Sequence, residues 1–137
     1  MVPLNLNIES VFFLVLNTRS DVHLRQVFAS YMAKHGKDIN HVIQHKFGGE
    51  LEKSLLSLVE CVENRPDYVA QLFEKSMHGL GTKEDMLSRL AVRCRDPNLM
   101  CSVKEAFAKR YGKTLEHRVK GETGGNYEKL LVAVIGN

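Results

Sequence analysis

No run of basic residues stands out in this chain of 137 residues: 19 Lys and Arg are scattered among 16 Asp and Glu, for a formal charge of +3. A protein built to grip nucleic acid concentrates its cations on one face, so no nucleic-acid partner is expected. Long apolar runs are missing too. The longest, Val11 to Leu16, is too short for a membrane span, and the residues before it lack the basic start of a signal peptide. Cysteine is scarce and odd in number. Cys61, Cys94 and Cys101 form no metal-spaced pair and read as reduced, partly buried residues of a cytosolic protein. His41 and His45 are four apart, but no further ligand accompanies them, and zinc is not expected. No Ser-His-acid, Cys-His or paired-carboxylate arrangement emerges, so an enzyme is not expected. Alternating β-branched runs are few, and the expected fold is all-α.

What the chain has is a repeat. Sliding the sequence by 76 residues lays HGKDINHVIQHKFGGELEKSLLSLV (35–59) over YGKTLEHRVKGETGGNYEKLLVAVI (111–135). Gly36 meets Gly112, His41 meets His117, the pair 48–49 meets 124–125, and Leu55 meets Leu131. Upstream, Arg19 meets Arg95 and Val27 meets Val103; helix capping and salt bridging are the expected roles of the two arginines. Agreement without gaps over this length indicates two homologous helical units.

Each unit parses into short helices. In the second, Thr82 is placed to cap a helix starting Lys83-Glu84-Asp85, with Met86, Leu87, Leu90 and Ala91 as its apolar face. Pro97 suits the start of the next helix, which runs through Val103, Phe107 and Tyr111 to a stop at Gly112. A short helix with Leu115 and Val119 follows, then another after Gly124-Gly125. Between the units, Arg65-Pro66-Asp67 opens a helix carrying Tyr68, Val69, Leu72, Phe73 and Met77 along one side. Tyr68 and Tyr127 are expected in the core or at an interface.

The stretch MHGLGT (77–82) joins that helix to the next. It lacks the Lys-Ser/Thr ending of a nucleotide P-loop, and no strand pattern precedes it. One reading is a plain turn, in which Gly79 and Gly81 free the backbone. The other turns the carbonyls of Met77, Gly79 and Gly81 inward as half of a calcium shell, since calcium takes six to eight oxygens of mixed origin. A carboxylate must then come from elsewhere. Glu122 in KGETGGNY, expected in a turn, is the candidate.

MHGLGT-x-E followed by GETGGNY-x-KLL resembles an annexin repeat, whose usual pattern is M-K-G-x-G-T and then an acid before T/S-G. SMHGLGTKEDMLSRLAV, FAKRYGKTL, LLVAVIG, NTRSDVHLRQVFASY and GGELEKSLLSLV all match, so the resemblance covers nearly the whole chain. It is greatest to the last two of the usual four repeats. The resemblance implies two annexin-like repeats packed as half of an annexin core, at 1–61 and 77–137, with a connecting helix at 62–76. It implies calcium-dependent, reversible binding to membranes containing acidic phospholipids. Met77, Gly79, Gly81 and Glu122 would hold calcium, and Thr82 with Glu84 would form a weaker neighbouring site. His78, Leu80 and Thr82 would face the phospholipid; for Glu84 a helix first-turn role is the alternative, and for Thr82 capping. The implied location is the cytoplasm, peripheral on membranes when calcium rises.

The departures matter as much. By the same shift, Met77 falls on Met1, Gly79 on Pro3, Gly81 on Asn5 and Glu122 on Lys46. The first unit is therefore expected to keep the helices without the site, since Lys46 would repel a cation. His78 replaces the family's usual Lys or Arg, and would meet a lipid phosphate as a cation only near pH 6.5 or below, about its ordinary pKa. Two repeats also leave bare a surface that a partner half normally covers, so self-association or another annexin half is an expected partner. The alternative function is a calcium-independent helical scaffold that binds cytoskeletal or annexin partners.

Overall fold

Local chemistry at the helix ends is repeated along with the sequence. A computed structural model describes residues 8–136, and every regular element among them is a helix. The first unit contains α1 (Ile8–Thr18), α2 (Asp21–His35), α3 (Ile39–Lys46) and α4 (Gly49–Glu63). The second contains α5 (Arg65–Met77), α6 (Glu84–Arg93), α7 (Pro97–Tyr111), α8 (Leu115–Glu122) and α9 (Gly125–Ile135). The division falls between Glu63 and Asn64.

Ser20 caps α2 through His23 N, and its counterpart Asp96 caps α7 through Leu99 N. Asp38 and Thr114 do the same for α3 and α8. Such caps satisfy amide donors that the helix itself leaves bare. At the other end, Gly36 and Gly112 take left-handed φ of 65° and 70°, each returning its N–H to the helix just ended. Asn64 caps α5, whose Pro66 lies in the first turn where no N–H is needed.

In the second unit α5 packs on α6 and α7, and α9 packs on α6 and α8. Phe73 and Met77 of α5, Leu87, Phe107, Leu115 and Val119 are wholly excluded from solvent in one cluster. The first unit gathers Leu24, Phe28, Ile43, Leu55 and Val59 around α2, α3 and α4. Phe12, Val15, Val27, Tyr31, Ile39 and Val42 there line an apolar cleft of about 360 Å³. Val15 and Val27 are only half-buried, whereas their counterparts Ala91 and Val103 are fully buried.

Of the cysteines, Cys94 is buried and Cys61 half-buried as expected, but Cys101 is exposed on α7. No helix among the described residues is long and apolar enough to cross a membrane.

Candidate functional site

The loop after α5 is anchored at both ends by groups that cannot move freely. Met77 buries its side chain completely at the last position of the helix. Ser76 is equally buried, its hydroxyl donating to the Phe73 carbonyl at 2.6 Å, and its own carbonyl accepts Lys83 N–H at 2.8 Å. That last bond closes the loop over residues 77–82. Inside it Gly79 and Gly81 have φ of +89° and +83°, a region costly to any residue with a Cβ. Leu80, between them, is fully exposed at the tip.

Thr82 does not cap α6. That helix starts at Glu84 after Lys83, with no side-chain cap, and the Thr82 hydroxyl turns instead to Glu122. It lies 3.1 Å from the Glu122 carbonyl oxygen and 3.4 Å from Oε2. Forty residues of sequence are spanned by this contact. Glu122 itself ends α8 rather than sitting in a turn, because Thr123 N–H still bonds back to Val119 at 3.0 Å and carries the helix past it. The helix end delivers the carboxylate to the loop.

A guanidinium waits there. Arg118, one turn earlier on α8, donates through Nη1 to Glu122 Oε1 and through Nη2 to the Met77 carbonyl at 2.9 Å. Its Nε also meets Glu74 Oε2 at 3.1 Å, and Nη2 meets Glu74 Oε1 at 3.1 Å. The Arg118 hydrogen bond is the main reason the Glu122 carboxyl is held below its ordinary range. Glu74 and Glu122 in turn raise the pKa of Arg118, so the group stays charged.

The structure thus brings Met77, Thr82 and Glu122 together. Glu84 is exposed at the first turn of α6, and its carbonyl accepts the Tyr127 hydroxyl at 3.1 Å. Ser88 shares that hydroxyl at 2.7 Å, so half-buried Tyr127 ties α9 to the helix that the loop enters. His78 is exposed, with Nδ1 4.0 Å from Glu74 Oε1. Arg118 and Glu74 escaped the reading of the sequence, whereas Tyr127 packs against the core as expected. For Arg118 the signal was present, a cation four residues before the acid on one helix face; its contacts with α5 were not.

Among the described residues no three His, Cys, Asp or Glu side chains gather as a metal cluster. A cation at this loop must therefore draw on backbone carbonyls beside Glu122, and the donors at hand are all oxygen, which suits a hard ion. In the first unit Lys46 is exposed at the end of α3, while Met1, Pro3 and Asn5 lie outside the described residues.

The annexin family profile matches residues 8–58 and 68–134. The chain belongs to the annexin family. Human annexin A11 is 37% identical over 128 residues, covering 93% of this chain and 25% of its own length. Human annexin A13 is 39% identical over 127 residues, covering 93% of this chain and 40% of its own. Among solved structures, calcium-bound annexin (Sm)1 superposes with a TM-score of 0.82 at 29% identity, over 90% of this chain and 35% of that one. Chicken annexin V gives 0.73 at 36% identity, over 96% of this chain and 41% of that one. This annexin chain therefore spans between 25% and 41% of these relatives. The annexin family is not a family of enzymes.

Proposed function

We propose that this chain binds membranes containing acidic phospholipids, reversibly and in a calcium-dependent way, through the loop at 77–82. The observation that carries the reading is the approach of Glu122 to a glycine-bent loop whose tip residue, Leu80, is fully exposed. Calcium would be held by the Met77, Gly79 and Gly81 carbonyls with the Glu122 carboxylate, and when bound it supplies positive charge with open positions for lipid phosphate oxygens. Annexin (Sm)1, a relative of the same fold, was solved with calcium bound. Thr82 and Glu84 would offer the weaker second site.

The chain's own residues do the rest. Glycine at 79 and 81 lets successive carbonyls face one way, which an L-residue resists. Leu80 enters the interfacial layer of the membrane, while His78 and Thr82 stand beside it at headgroup level. Because lipid and calcium share one site, each raises the affinity of the other equally. The chain divides into compact units at 1–63 and 64–137, and the loop of this reading lies in the second. A single loop gives low avidity unless copies of the chain associate.

Sedimentation with phosphatidylserine vesicles tests the reading, in calcium and in chelator, for the native chain and Glu122→Gln. Pelleting that needs calcium and is lost in the variant is the expected result. Equal pelleting in chelator would overturn it in favour of a calcium-independent interaction module.

A further inference from the structure

The proposed calcium loop already contains a cation of its own. Arg118 touches two of the groups assigned to calcium above, the Glu122 carboxylate and the Met77 carbonyl. We infer that Arg118 sets the calcium threshold of this loop by competing, as an internal cation, for those two oxygens. The inference rests on the calcium reading and adds to it the residue that tunes the affinity.

The geometry supports exchange rather than simple blockade. A guanidinium presents five donors in a rigid plane, and here that plane is shared between two carboxylates and a carbonyl. Glu74 accepts from both Nε and Nη2, a two-point grip that does not depend on Glu122. Arg118 can therefore release Glu122 and the Met77 carbonyl while remaining paired on α5. Glu74 and Arg118 are each 20% exposed at the side chain, so the retained pair is sheltered from screening by water.

Two consequences follow for the loop before calcium arrives. The Glu122 carboxylate is neutralised and held at the loop instead of swinging free. The Met77 carbonyl is aimed at the guanidinium and so at the place a cation takes. Arg118 thereby preorganises the oxygens it must later give up, and the cost of giving them up is a higher calcium requirement. The repeat-equivalent residue in the first unit is Val42, which has no charge to offer, and its partner position there is Lys46. The Arg-Glu pair belongs to the unit with the glycine loop.

The test compares the calcium midpoint for pelleting on phosphatidylserine vesicles in the native chain, Arg118→Gln, Arg118→Lys and Glu122→Gln, with circular dichroism to confirm folding. Removing a charge-assisted competitor is expected to lower the midpoint by about tenfold in Arg118→Gln. Lysine is a point charge that cannot serve three oxygens in one plane, so Arg118→Lys should fall between Gln and native. If Arg118→Gln does not fold, the lysine variant decides alone. A native-like midpoint in both folded variants, with Glu122→Gln still dead, would overturn the competition and leave the calcium site standing. A native-like midpoint in lysine alone would also overturn it, since bare charge repulsion would then account for the effect. A native chain that never responds to calcium would remove both readings together.

Discussion

Leu80 and the two glycines beside it separate stability from function more cleanly than any other residues of the chain. Leu80 makes no buried contact to lose, so Leu80→Ala should leave thermal stability within about 0.5 kcal/mol of native. On a membrane the same change removes a side chain whose full burial is worth about 1.5–3 kcal/mol, and vesicle affinity in calcium should fall about tenfold or more. Vesicle titration beside a thermal melt checks both halves. At Gly81 an added Cβ would meet no atom within 4 Å, so the cost of Gly81→Ala is purely conformational, about 1–2 kcal/mol at φ +83°. The loop should relieve that strain by turning its carbonyls, and calcium-dependent pelleting should weaken while far-UV dichroism stays native. The positions of these glycines were readable from MHGLGT, because only a left-handed backbone or a tight turn calls for glycine twice in three residues. The Thr82 hydroxyl was not readable. A threonine before an acidic first turn satisfies the capping rule, and only the fold brings Glu122 close enough to take it instead.

At the scale of the helix, α5 is the element on which the site depends. It supplies the Met77 carbonyl, the Glu74 that holds Arg118, and the buried Phe73 that fixes its rotation. Phe73→Ala should cost about 3–5 kcal/mol, seen in chemical denaturation. The other end of α5 is tied to α7 by Arg110, whose Nε and Nη2 reach both oxygens of Asp67 at 3.1 and 2.9 Å. That hydrogen bonding holds the Asp67 carboxyl below its ordinary range. The folded chain then binds the proton less readily than the unfolded one. The stability this pair contributes is complete above the unfolded value of about 4 and is lost as pH falls through the lower folded value. Thermal melts of native and Arg110→Gln chains should therefore differ at pH 6 and converge toward pH 3. Helix existence was legible throughout, since caps, Pro66, Pro97 and paired glycines punctuate the apolar periodicity. Pairings between helices were not, because the Arg118 to Glu74 contact joins residues 44 apart and no local pattern encodes that distance.

Over the whole molecule the two units differ in what covers their cores. In the second, α5 closes over residues that the first unit leaves facing an apolar cleft of about 360 Å³. Less burial means less stability per residue, so the first unit should melt at the lower temperature. Calorimetry should resolve two transitions, and a dye that fluoresces in apolar clefts should lose its signal with the first. A single transition with equal calorimetric and van't Hoff enthalpies would contradict this. The 76-residue period announced the shared helices, and it also announced the loss of the acid at Lys46. The cleft was hidden, because the burial of Val15 and Val27 depends on contacts between helices that no local pattern encodes.

Every group that shapes the cation loop lies between Phe73 and Tyr127, inside one period of the repeat. Copying one period therefore copies the entire proposed device, and a copy with Pro3, Asn5 and Lys46 in place of the glycines and the acid keeps its helices. Under the proposed function, a lineage built from such periods would adjust its grip on membranes by the number of live copies it keeps, leaving the architecture of each copy alone.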